Sequence, residues 1–111
     1  MNHAEASRWL YRIYGMLRDT DVDVRITRKL NKCFGMVTVD ADNIKMFLHP
    51  DRPWLKKGGF VSTIIHECLH LVDMDLPETE VQRLEREIFC ALSDRQLGNL
   101  LKRIVWCIRK G

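Results

Sequence analysis

No apolar run in the 111-residue sequence approaches the roughly 18 residues that a membrane span needs, which excludes a transmembrane protein. The opening residues, with Glu5 and Arg8 among them, do not form the unbroken apolar stretch of a secretory leader. None of the four cysteines (Cys33, Cys68, Cys90 and Cys107) forms a C-x-x-C pair, so neither a zinc ribbon nor a thioredoxin-like motif is expected. Without a leader, disulfides are not expected either, and the expected compartment is cytoplasmic. Cys68, Cys90 and Cys107 sit among apolar residues and are expected in the core. Internal repeats and low-complexity segments are absent. Neither charge dominates: 18 basic residues stand against 15 acidic ones, a formal net charge of +3. That balance permits a weak attraction to nucleic acid and does not demand one.

What is present is a soluble globular balance, 46% hydrophobic and 30% charged, which excludes a disordered chain. A chain of this size buries roughly 65% of its unfolded surface, enough for one core, so residues 1–111 are read as one domain. Residues 4–18 have helical spacing, with Trp9, Leu10, Ile13, Tyr14 and Leu17 three and four apart, and Gly15 weakens the pattern slightly. Strand alternation follows in Val22, Val24 and Ile26. Residues 36–49 alternate on both sides of Asp40-Ala41-Asp42-Asn43, which predicts a β-hairpin. Pro50, Pro53, Gly58 and Gly59 mark a loop carrying Trp54, Lys56 and Lys57.

Residues 60–72 are apolar almost all round and follow two glycines, which predicts a buried helix. Pro77 opens another helix with Val81, Leu84, Ile88 and Leu92 in phase. Ser93 and Gln96 form a capping-box pattern before a last helix with Leu97, Leu100, Leu101, Ile104, Val105 and Ile108. Val105, Trp106 and Ile108 are read as core packing. One helix, a small sheet and three helices make an α+β fold.

His66-Glu67-Cys68-Leu69-His70 is an H-E-x-x-H motif within the buried helix. Positions i and i+4 share one helix face, so both imidazoles can meet one Zn²⁺ ion, and Glu67 reaches the same side as a general base for water. An apolar helix gains nothing by burying three such groups unpaired, since each costs of order a kcal/mol. Cys68 points to another face and is a poor fourth ligand.

The segment Ser62–His70 resembles the active-site helix of zincin metallopeptidases. The order of elements is similar to small zincin-like domains, including the SprT-like and ImmA/IrrE-type families, over roughly residues 44–92. The resemblance implies a minimal zincin-like fold, an N-terminal helix, a small antiparallel sheet or hairpin, and an active-site helix followed by two C-terminal helices. It implies a zinc-dependent peptidase acting on a peptide or protein, with residues 44–49 taking substrate as an added strand.

Metzincins require a glycine and a third histidine where Asp73 and Leu76 stand, so that class is excluded. Gluzincin-type zincins take a glutamate from the next helix. Of Glu78, Glu80, Glu85 and Glu87, the first and third fall near the inward face defined by Val81. Glu78, nearest the turn back from His70, is the first choice and Glu85 the second. Helix capping by Glu78 is the metal-free alternative. Asp73 or Asp75 is the expected hydrogen-bond partner of a ligand histidine. No oxyanion stabiliser stands out among His49, Tyr11 and Tyr14. Trp54 is a candidate pocket wall. Two other functions remain open: a zinc-containing binding protein without catalysis, and a hydrolase or protease associated with nucleic acid. An endoribonuclease pattern with three histidines fails for want of one at Leu76.

Overall fold

The computed structural model describes residues 1–30, 33–40, 43–51 and 59–108. Helix α1 (His3–Asp19) starts where the Asn2 side chain accepts a hydrogen bond from the Glu5 amide at 2.8 Å. That satisfies one of the amides which a helix start leaves without an intrahelical partner. Ala6, Leu10 and Ile13, four and three apart, form its buried stripe.

Strand β1 (Val22–Ile26) follows, then β2 (Gly35–Asp40) and β3 (Asn43–Leu48). The hairpin β2–β3 is antiparallel, as its alternation predicts, with Val37 opposite Met46. The sheet order is β1-β3-β2. The chain reverses twice between β1 and β3, so those two run parallel, with Val24 opposite Met46. The sheet is therefore mixed rather than antiparallel throughout. The outer edge of β1 is met by the chain beyond the last helix: the Val24 amide donates to the Cys107 carbonyl at 3.1 Å, and Val24 bridges Ile108. At the opposite edge lies β2.

Helix α2 (Gly59–Val72) begins at a glycine with φ of 57°, a left-handed conformation that side chains resist. It lies through the middle of the core, with Ile64, Ile65, Cys68 and Leu69 fully buried. Helix α3 (Glu78–Ala91) packs on it through Val81, Leu84 and Ile88, the predicted stripe. Helix α4 (Asp94–Trp106) starts with the full capping box between Ser93 and Gln96 and buries Leu100 and Ile104. The α+β layout is the one the periodicities predict.

Some expectations fail. Trp106 is 87% exposed and Val105 55%, because α4 turns its Leu100–Ile104 stripe inward and presents those two to solvent. Cys90 is exposed, being on the side of α3 opposite its buried stripe, and Cys107 is half-buried. Of the predicted turn 40–43, residues 41 and 42 lie outside the described residues. So do Pro53, Trp54, Lys56, Lys57 and Gly58 of the predicted loop. Among the described residues no helix is long and apolar enough to cross a membrane.

Candidate metal centre

Helix α2 brings His66, Glu67 and His70 together, and His66 and Glu67 line one cleft. The four-residue spacing brings the imidazole centroids to 5.0 Å and the two Nε2 atoms to 3.3 Å. Ligand-capable atoms of His66, Glu67 and His70 all lie within 4.8 Å of one another. Glu67 is nearly buried at 5% exposure.

The turn after α2 decides what meets this cluster. Asp73 closes it: its side chain accepts from the Asp75 amide at 3.1 Å and its carbonyl from the Leu76 amide. The chain then re-enters as α3 with Glu78 as its first residue. The Glu78 carboxylate spans both histidines, with Oε1 at 2.7 Å from His66 Nε2 and Oε2 at 2.9 Å from His70 Nε2. Glu85, two turns further along the same face, reaches the other side of His66. His66 Nδ1 donates to Glu85 Oε1 at 2.6 Å, and the Ser62 hydroxyl donates to Glu85 Oε2. The two glutamates thus divide one imidazole, Glu78 at Nε2 and Glu85 at Nδ1. The expected partner role of Asp73 or Asp75 is not seen, because the Asp73 side chain is used in its own turn.

Charge follows from this packing. Burial alone pushes the His66 imidazole towards its neutral form. The hydrogen bond to Glu85, with the nearby Glu67 and Glu78 carboxylates, outweighs burial and holds its pKa above the ordinary value. Burial drives the Cys68 thiol far up, with Glu67 adding to the effect, which removes Cys68 as a thiolate ligand.

The donor set fits a zinc ion. Two nitrogens at 2.0–2.1 Å from a tetrahedral zinc lie about 3.4 Å apart, and the Nε2 atoms are already at 3.3 Å. A carboxylate faces both nitrogens, and the other nitrogen of His66 is held by a second carboxylate, the usual support of a metal-bound histidine.

The cleft above the cluster has a volume of about 470 Å³. Its floor is α2, one wall is the Glu78–Cys90 side of α3, and the other is Cys33, Phe34 and Gly35 at the start of β2. Gly35 lies against the catalytic candidate. A Cβ there would come within 2.9 Å of Glu67 Cγ and 3.1 Å of Thr63 Cγ2, closer than side chains tolerate. Sequence reasoning missed Gly35, whose role appears only once β2 is laid over α2. It also missed Ser62, which the four-residue spacing to His66 does signal.

The strand expected to take substrate, residues 44–49, is β3 at the centre of the sheet. Its backbone is occupied by β1 on one side and β2 on the other, so it has no edge to offer. The edge strand beside the cleft is β2. His49 is buried and its Nδ1 accepts from the Asp51 amide. Searches against protein-family models, curated proteins and solved structures found no match to this chain.

Proposed function

We propose that the chain is a zinc-dependent peptidase, with His66, His70 and Glu78 as metal ligands and Glu67 as general base. The observation that carries this reading is the Glu78 carboxylate within 3 Å of both motif histidines while Glu85 holds the far side of His66. Zinc coordination accounts for one carboxylate facing both Nε2 atoms, and metal content separates it from a metal-free pairing of Glu78 with protonated imidazoles. The zincin resemblance points to the same chemistry.

Zinc held there would supply a Lewis acid for the scissile carbonyl and lower the pKa of a water to about 7. The rest belongs to the chain. Glu67, nearly buried and wedged against Gly35, takes a proton from the attacking water and passes it to the leaving amine, so that one water and one peptide bond become an acid and an amine. Glu85 and Ser62 fix the His66 ring so that Nε2 faces inward. An extended peptide would lie along the edge of β2, between that strand and α3.

The test is metal content by plasma mass spectrometry beside peptide-library cleavage. Wild type should carry about one zinc per chain, the number a single three-ligand site holds. His66→Ala and Glu78→Ala should lose it. Glu67→Gln should keep the metal and lose cleavage. A wild type that takes up no zinc after reconstitution ends the reading.

A second reading, association with nucleic acid, draws on α4. Trp106 stands 87% exposed at a shallow cleft shared with Tyr14, Lys102 and Arg103. One exposed aromatic beside cations suits stacking on a single strand. Binding to an oligonucleotide that weakens steeply with salt would support it.

A further inference from the structure

From Arg86 we infer a substrate preference for this same cleft: it takes a carboxylate, carried by an acidic side chain or a chain terminus. The inference rests on the peptidase reading for the word substrate, but the binding it claims does not depend on catalysis.

Helix α3 carries two arginines with opposite fates. Arg83 is clamped between Glu80 and Glu87 on the outer face. Arg86 faces the cleft, and among the described residues it makes no hydrogen bond or ion pair. Its own helix cannot supply one. The positions three and four residues away are Arg83, Phe89, Gln82 and Cys90, none acidic. Its flanking glutamates are engaged elsewhere, Glu85 with His66 and Ser62, and Glu87 with Arg83.

The rest of the cleft sharpens the point. Among its described lining residues Arg86 is the sole lysine or arginine, against the carboxylates of Glu67, Glu78 and Glu85. A carboxylate entering this cleft therefore has one described arginine to meet, Arg86. Phe34 and Phe89 line the same cleft, and Arg86 itself is exposed and open to a ligand. The guanidinium fork matches a carboxylate in a bidentate geometry.

The experiment is calorimetric binding to the full chain carrying Glu67→Gln, so that nothing is cleaved, with and without added zinc. Three sets of acetylated hexapeptides of one neutral sequence are compared. One set has glutamate at each position in turn and an amidated C-terminus. One has glutamine there and a free C-terminal carboxylate. One has glutamine and an amide, with no carboxylate at all. We expect a carboxylate to bind about fivefold tighter than the uncharged peptide, the upper range for a partly exposed ion pair. Adding Arg86→Gln should erase the difference. The first two sets tell an acidic side chain from a chain terminus. Equal binding of all three sets, no binding of any, or a preference that survives Arg86→Gln overturns the inference. Cleavage by the parent protein without acidic preference would leave the peptidase reading intact. Acidic preference in a protein that takes up no zinc would do the reverse.

Discussion

Helix α3 bears two pairs of glutamates at the same seven-residue spacing, Glu78 with Glu85 and Glu80 with Glu87, and they lead different lives. The outer pair clamps Arg83 in solvent, where the hydrogen bond to Arg83 lowers the Glu80 pKa. The inner pair takes the two nitrogens of His66, and Glu85 is only 13% exposed. A rotation of about 160–200° around one helix separates an ordinary surface network from a candidate metal site. Residue type and spacing are shared; what differs is the element each face meets. The outer face meets water, and the inner face meets α2.

The sharpest way to break this comparison is to truncate the first glutamate of each pair. Glu78→Ala should abolish stoichiometric zinc binding, whereas Glu80→Ala should leave metal content untouched. Equal loss in both would mean that the faces are wrongly assigned. The cysteines offer a second contrast between inside and outside. Burial raises the Cys68 pKa far above neutral pH, so the group stays a thiol, and only thiolate is nucleophilic. Cys90 is exposed. Mass spectrometry after iodoacetamide at neutral pH should therefore find Cys90 alkylated orders of magnitude faster than Cys68 while the protein stays folded.

Gly35→Ala tests the wall of the cleft rather than its ligands. The added methyl must push Glu67 aside, and a shift of about 1 Å in a catalytic group costs roughly 10²-fold in rate. Turnover should fall by that order, with zinc retained. Glu85→Gln should weaken zinc affinity by about 10–100-fold, the usual cost of losing a carboxylate behind a ligand histidine. Competition with a chelator measures it. Smallest of all, Glu87→Gln should leave both zinc affinity and the thermal midpoint indistinguishable from wild type, because exposed ion pairs contribute little.

The parts of this molecule written in local periodicity were legible. The four-residue histidine spacing, the Val81–Leu84–Ile88 stripe and the Ser93–Gln96 capping box each depend on neighbours within a turn or two, and each stands where the pattern put it. Glu78 and Glu85 were both legible as inward-facing. Their division between Nε2 and Nδ1 was not, because it depends on how Asp73 closes the turn and sets the angle of α3. Strand order was illegible for a similar reason. Alternation identifies β3 as a strand but says nothing of the partners that fill both its edges. Trp106 misled because an apolar residue at helical spacing reads as core, and here the helix presents it to solvent.

The contact between Val24 and the residues just past α4 bears on how the chain is made. A ribosome delivers α1 and the three strands well before α4, and the sheet can pair as soon as β3 has emerged. The outer edge of β1 must then wait for Cys107 and Ile108. In that interval it is a bare row of amides and carbonyls, the kind of edge that recruits strands from other chains. Shortening the chain within α4 makes that interval permanent, so such a truncation would favour aggregation even where the candidate site itself is untouched.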